Sequence, residues 1–284
     1  MAGNDYGWYP GHMTKSIRAI RGELGLVDLC IEVIDARIPL SSRNPDIDEL
    51  AKDKFRLIIL NKSDLADEKK SLAWAEYFKS KGIETLQLCA KERKASDLVK
   101  KAALNVCREK IERDKKRGIL NRPIRAMVCG IPNVGKSTLI NTIIGKSKTQ
   151  TGNKPGVTRS NQWVKTNAGI DLLDTPGLLW PKFEDKTVGF KLAAIGSVND
   201  QVINTMQLAG EVIELMNDLY PDRVKEKYDI LDLTKPEEVF KAAALKSGIL
   251  LKGGEPDIQR AADLILTDLR SGKLGRITLE EPFL

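Results

Sequence analysis

Residues 130–137 read Gly-Ile-Pro-Asn-Val-Gly-Lys-Ser, a G-x-x-x-x-G-K-[ST] pattern with an apolar run, Ile124 to Cys129, before it and a helical stretch, Thr138 to Ile144, after it. The context constrains the fold more than the pattern does, because a phosphate-cradling turn must leave a buried strand and open a helix. The glycines let the backbone curl so that successive N–H groups face phosphate oxygens. Lys136 then bridges the β- and γ-phosphates, Ser137 holds Mg²⁺, and the helix N-terminus adds a favourable dipole. Asn133, Val134, Gly135, Lys136, Ser137 and Thr138 are therefore expected to line a nucleotide's phosphates. An ordinary Gly-rich turn is the competing reading, and the strand and helix around it disfavour it.

A strand–turn–helix unit of this kind belongs in an α/β sheet. Apolar runs rich in β-branched residues recur at Leu29 to Ile34, Arg56 to Leu60, Ile83 to Leu88 and Ile124 to Cys129. Helical or turn signals separate them, which predicts a mostly parallel sheet. Gln162 to Thr166 and Gly169 to Leu173 alternate and flank Asn167-Ala168, an antiparallel hairpin at the sheet edge. After about Lys186 the pattern is helical alone, over Thr187 to Ile195, Gln201 to Leu219, Pro236 to Lys246 and Asp257 to Ser271, with a turn at Tyr220-Pro221. Two domains are expected, an α/β domain over 1–185 and an all-helical one over 186–284.

Charge divides along the same line. The formal net charge is +7, made of +12 over residues 1–199 and −5 over residues 200–284. Ser96 to Arg117 reads as one long helix packed by a narrow stripe of Leu98, Val99, Ala102, Ala103 and Val106. From Lys91 to Arg125 there are 13 basic and 5 acidic residues. A polyanion should meet this half first, although a solvated charged helix gives the same pattern.

The four cysteines are far apart and share the chain with one histidine, His12. That composition disfavours a structural zinc site and suits reduced thiols, with Cys30 and Cys129 filling space inside strands. No apolar stretch approaches the roughly 18 residues of a membrane span, and Met1 to Ser16 lacks a signal core. A cytoplasmic monomer that works with neither membrane nor DNA is expected.

Four further segments complete a nucleotide site. Asp174-Thr175-Pro176-Gly177 ends the Gly169 to Leu173 run, 37 residues after Ser137. There Asp174 can reach Mg²⁺ through water and the Gly177 amide can sense a γ-phosphate. Between the two lies Gly152 to Arg159, with Thr158 as a second protein ligand for Mg²⁺. Asn61-Lys62-Ser63-Asp64 follows a strand, at the end where ligands of parallel sheets bind. The Asp64 carboxylate can accept from both N1–H and the 2-amino group of guanine, a donor pair adenine lacks, and a mismatch would leave the acid unpaired. Asn61 would shape the base pocket, the Lys62 stem would lie over the ring, and the backbone of Cys89-Ala90-Lys91 could contact guanine O6.

The order of these segments resembles the circularly permuted GTPases, and the details resemble the RbgA/YlqF family of ribosome-assembly GTPases. The resemblance rests on Trp8-Tyr9-Pro10-Gly11-His12-Met13, Asp35-Ala36-Arg37-Ile38-Pro39, Pro155-Gly156-Val157-Thr158, Asp174 to Leu178 with Trp180-Pro181, and Gly272-Lys273-Leu274-Gly275. It spans nearly the whole chain. It implies a GTPase that uses GTP and Mg²⁺ and acts late in large ribosomal subunit assembly, touching rRNA and ribosomal proteins. It also implies an ANTAR-like, RNA-binding C-terminal domain. Cys89 departs from the commoner serine, with little consequence for a backbone contact.

Many GTPases place a water-orienting Gln directly after Asp-x-x-Gly; here Leu178 stands there, and an isobutyl group cannot orient water. Unaided hydrolysis should be slow and stimulated by the ribosomal subunit. Asn133 occupies the position that helps hold K⁺ in K⁺-stimulated relatives, and His12 is the available imidazole. The loop from Leu178 to Asp185 leads directly into the helical domain, so a γ-phosphate signal could reorient it. The alternative reading is a nucleotide-gated scaffold that places RNA or ribosomal proteins and hydrolyses GTP only for release. An ATP-dependent P-loop enzyme is a third, opposed by Asp64.

Overall fold

A computed structural model describes residues 21–145, 162–166, 169–175, 185–198 and 203–282 of the chain. His12, Thr158, Gly177 and Leu178, each given a role above, lie outside these residues. The described residues form two compact units. One takes in Arg21 to Thr175 and again Glu280 to Pro282; the other runs from Asp185 to Leu279. A helical domain over all of 186–284 does not anticipate that return.

The first unit is built on six strands: β1 (Leu29–Asp35), β2 (Phe55–Asn61), β3 (Glu84–Gln87), β4 (Ile124–Cys129), β5 (Gln162–Lys165) and β6 (Ile170–Asp174). They lie in the order β3-β2-β1-β4-β6-β5. Every pairing is parallel except β5 with β6, the antiparallel edge expected from the alternating runs. β1 has a neighbour on each side and every one of its residues is buried, which is why it reads Leu-Cys-Ile-Glu-Val-Ile-Asp with so little polar content. Its one mid-strand charge, Glu32, is neutralised by Arg43 at 2.9 Å and Arg56 at 3.4 Å.

Around the sheet run α1 (Asp46–Leu50), α2 (Glu68–Ser80), α3 (Ala95–Val106), α4 (Arg108–Lys116) and α5 (Lys136–Ile144). Asp67 caps α2 by accepting from the Lys70 amide. Trp74 and Phe78 of α2 pack with Ile34, Ile58, Leu60 and Ile83. The single basic helix expected over Ser96 to Arg117 is two. The chain breaks at Cys107, whose buried side chain ends α3, while α4 buries none of its residues. The apolar stripe stops at Val106, and beyond it α4 is fastened by charge, Lys110 lying 2.8 Å from Asp114 and 3.7 Å from Asp28, while Arg108, Arg113, Lys115 and Lys116 stay exposed. Cys30 and Cys129 fill space as expected, with their sulfurs 3.4 Å apart and both thiols buried.

The second unit comprises α6 (Lys186–Ala194), α7 (Thr205–Leu219), α8 (Pro221–Tyr228), α9 (Pro236–Lys246) and α10 (Ile258–Ser271). The turn expected at Tyr220-Pro221 is in fact the start of α8. Proline at the first helical position gives up no hydrogen bond and presets φ, so there it begins a helix. α7 begins at Thr205, capped by Asn204, rather than at Gln201, a position outside the described residues. Arg270 of α10 donates to the carbonyls of Ala193 and Ala194 at the end of α6, and Tyr228 donates to the buried Asp268. Among the described residues no helix is long and apolar enough to cross a membrane.

Candidate nucleotide site

The loops that follow β1, β2, β3 and β4, and the end of β6 at Asp174, lie at the sheet's carboxyl edge, where open α/β sheets hold ligands. After Cys129 the chain turns at Gly130, with φ 142°, where a Cβ would strike the Val33 carbonyl of β1. Asn133 then takes a left-handed φ of 62°, and Gly135, at φ 99°, is the residue that opens α5. Lys136, Ser137 and Thr138 thus form the helix's first turn, with amides aimed out of the N-terminus.

The phosphate loop, the Asn61 to Asp64 loop and the Cys89-Ala90 loop lie together, and Asn61 joins them. Its amide donates to the Val134 carbonyl at 2.6 Å and its carbonyl accepts from the Ala90 amide at 2.9 Å. A Cβ on Gly135 would run into this amide, so the glycine is required by the approach of Asn61 as well as by its own φ. Thr142 of α5 adds a bond to the Ala90 carbonyl at 2.7 Å. Where the sequence suggests that Asn61 shapes the base pocket, the structure shows it working as a tie between loops.

Lys136 is buried and donates to the carbonyls of Gly130 and Ile131, at 3.0 and 3.1 Å. Burial lowers its pKa to about 8, against the attraction of Asp174. Asp174, at the end of β6, is pushed by burial up to about 6, with Lys136 opposing. Its Oδ1 is a buried carboxylate oxygen with no hydrogen-bond partner among the described residues. A hard oxygen donor left unsatisfied beside the helix turn that carries Ser137 fits a hydrated Mg²⁺, whose waters would meet that lone pair.

Lys62 adopts a left-handed φ of 59° and its ammonium lies 2.9 Å from Asp35 Oδ2. Arg37 donates to the same carboxylate through Nε at 2.9 Å and Nη2 at 2.8 Å. Asp35 and Arg37 are both fully enclosed. Burial alone would raise the Asp35 carboxyl, but the charges of Arg37 and Lys62 outweigh it and hold the group well below the usual carboxylate range. Asp64 stays exposed, with Cys89 hydrogen-bonded to it. Sequence reasoning used Asp35 and Arg37 only for resemblance. The signal for their place at the site is two opposite charges at the end of a wholly buried strand.

The sheet order and these loops define a P-loop GTPase of circularly permuted chain order, the Asn61 to Asp64 loop preceding the phosphate loop. Residues 125–237 match the family model described as 50S ribosome-binding GTPase. Over 278 residues the chain is 44% identical to ribosome biogenesis GTPase A of Bacillus cereus, covering 97% of this chain and 93% of that one. The GNP-bound crystal structure of YlqF from T. maritima superposes with a TM-score of 0.67 at 30% identity, covering 94% of this chain and 98% of that one. GDP-bound YlqF gives 0.68, also at 30% identity, over 93% and 98%. The chain belongs to the ribosome biogenesis GTPase A family and is a GTP hydrolase. Membership does not favour the scaffold alternative.

Proposed function

We propose that this GTPase hydrolyses GTP to GDP and phosphate in the cytoplasm while assisting late assembly of the large ribosomal subunit. The observation that carries the reading is the tie at Asn61, which sets the Asp64 loop, the Cys89-Ala90 loop and the phosphate loop in one rigid frame. Guanine is read by Asp64, its O6 facing the backbone at Cys89 and Ala90. The phosphates lie on the amides of Asn133 to Thr138. When phosphate enters, Lys136 exchanges its two carbonyl acceptors for phosphate oxygens, and its charge is then stabilised instead of merely buried.

Mg²⁺, held by Ser137 and Thr158 and reached through water by Asp174, supplies charge neutralisation at the phosphates. Gly177 senses the γ-phosphate. With Leu178 where a water-orienting side chain is expected, the water-orienting step is left to groups delivered on the ribosome: His12, K⁺ held at Asn133, or both.

The names of the relatives support a ribosomal partner, and the surface supports a place for rRNA. Lys115, Lys116 and Arg117 at the end of α4 are exposed and make no ion pair among the described residues, whereas Lys110 is committed to Asp114 at 2.8 Å. Exposed cations at the end of a surface helix suit phosphate contacts. The helical domain, ANTAR-like by resemblance, is the second RNA-facing surface.

The test is turnover of GTP, ATP and XTP by the wild type and Asp64→Asn, with and without large subunits, in KCl and in NaCl. The side-chain amide introduced by Asp64→Asn can donate to the 2-carbonyl of xanthine, where the native carboxylate accepts from guanine. A switch from GTP to XTP together with subunit stimulation is expected. Unchanged preference would remove the base assignment, and equal rates in the two salts would remove K⁺.

A further inference from the structure

The chain returns from the helical unit to the GTPase unit at Glu280, and the carboxylate it brings is nearly enclosed, 7% exposed. The Leu40 amide donates to it at 2.7 Å and the Ser41 amide at 3.2 Å, and the Ser41 hydroxyl donates as well. The Trp74 indole donates to the Glu280 carbonyl at 3.3 Å, and Lys70 pairs with Glu281 at 2.9 Å. Charge-assisted bonds from two backbone amides and a hydroxyl are a stronger grip than a passive tail requires.

What is gripped decides the meaning. Leu40 and Ser41 belong to the loop 36–42 that leaves β1, and this loop is internally closed. Ser42 Oγ accepts from the Asp35 amide at 3.0 Å and donates to the Ile38 carbonyl at 2.7 Å. The Ala36 amide donates to the Asn61 carbonyl at 2.9 Å. The loop begins at Asp35, whose carboxylate fixes the ammonium of Lys62. Hydrogen bonds, the backbone of the loop 36–42 and an ion pair therefore connect Glu280 to the Asn61-Lys62-Ser63-Asp64 loop.

We propose that Glu280 is a positioning residue for guanine recognition: by holding the Leu40 and Ser41 amides it fixes the loop 36–42, and through Asp35 that loop fixes Lys62. The inference rests on reading Asn61 to Asp64 as the base site. Because coupling between two equilibria is reciprocal, a bound guanine nucleotide strengthens the tail's hold as much as the tail strengthens the nucleotide's. A partner that peels the tail away from Ser41 would thereby release GDP.

The experiment uses the full chain and fluorescent mant-GDP, with mant-IDP, which lacks the 2-amino group, as the discriminating probe. Glu280→Gln is expected to speed mant-GDP release about tenfold, since interface changes act mainly on the off-rate. The GDP-over-IDP preference should shrink along with it, whereas a merely loosened fold would weaken both nucleotides alike. Ser41→Ala, a milder change, should act in the same direction, and the double variant should fall short of additivity. Wild-type release rates and wild-type GDP-over-IDP preference in both variants would overturn the proposal. Asp64→Asn separates the two readings. If it switches preference to mant-XDP while the Glu280 and Ser41 variants behave as wild type, the positioning role alone fails; if it still prefers mant-GDP, the base site fails and the positioning role with it.

Discussion

Asp35 and Lys62 stand at the ends of adjacent parallel strands, with carboxylate and ammonium 2.9 Å apart and Arg37 closing the other side of the acid. Lys62 is thus held by the strand beside its own. Two cations share one enclosed anion, so the cluster keeps a residual positive charge next to the exposed Asp64, and the Arg37 guanidinium feels that acid directly.

Asp35→Asn removes the enclosed anion that Arg37 and Lys62 share. Breaking one side of a buried pair is expected to destabilise the fold by about 3–5 kcal/mol. Urea denaturation of the nucleotide-free chain measures it, and a loss well under about 1 kcal/mol would mean the cluster is solvated.

Gly135→Ala should abolish tight nucleotide binding. The new methyl group must occupy the place of the Asn61 amide, at a φ of 99° that side chains disfavour. Strain of about 1–3 kcal/mol is expected in melting experiments. Affinity for mant-GTP should fall by more than about tenfold as the Asn61–Val134 bond is lost.

The pH dependence of the empty site has two opposite limbs. Burial raises Asp174 from 3.8 to about 6, so between those values the folded chain binds more protons than the unfolded one and stability falls as pH rises. Lys136 is lowered from 10.5 to about 8, so between 8 and 10.5 the folded chain binds fewer protons and stability recovers as pH rises. Asp174→Asn should erase the acid limb in urea titrations. In calorimetry at pH 6 in buffers of different ionisation enthalpy, Mg²⁺–GTP binding should release a fraction of a proton from Asp174. No buffer dependence would contradict that carboxyl's shift.

Neutralising Lys115, Lys116 and Arg117 together should flatten the salt dependence of binding to large subunits, by about one unit of log–log slope for each lost phosphate contact. Nucleotide affinity should stay where it was, because α4 buries none of its residues and makes none of the hydrogen bonds that join the nucleotide loops. An unchanged slope would assign rRNA contact to the helical domain.

Periodicity and burial make the sheet legible in the sequence: the run at Ile124–Cys129 matches β4 to the residue, and the runs around it match their strands to within one or two. Those runs are apolar because both faces of a parallel strand are covered. The phosphate loop is legible because glycine, lysine and serine each answer a separate physical demand there. Local pattern fails where tertiary packing decides. Pro221 punctuates a sequence as easily as it starts a helix, and the stripe over Leu98 to Val106 gives no warning that the helix axis breaks at Cys107. Nor does any spacing show that Asp35 meets Lys62, or that Glu280 meets Ser41 across 239 residues. Such pairings between distant segments are chosen by the fold once it exists.

The strand order β3-β2-β1-β4-β6-β5 splits cleanly along the chain, with the first three strands on one side of the β1–β4 seam and the last three on the other. During synthesis the half that carries Asn61 to Asp64 emerges first and can pair its own strands before Val134 leaves the ribosome. Until then Asn61 has no carbonyl to hold. The three loops can be joined only when the later half zips onto β1, so a nascent chain interrupted before β4 carries the Asn61 loop without the phosphate loop it ties to.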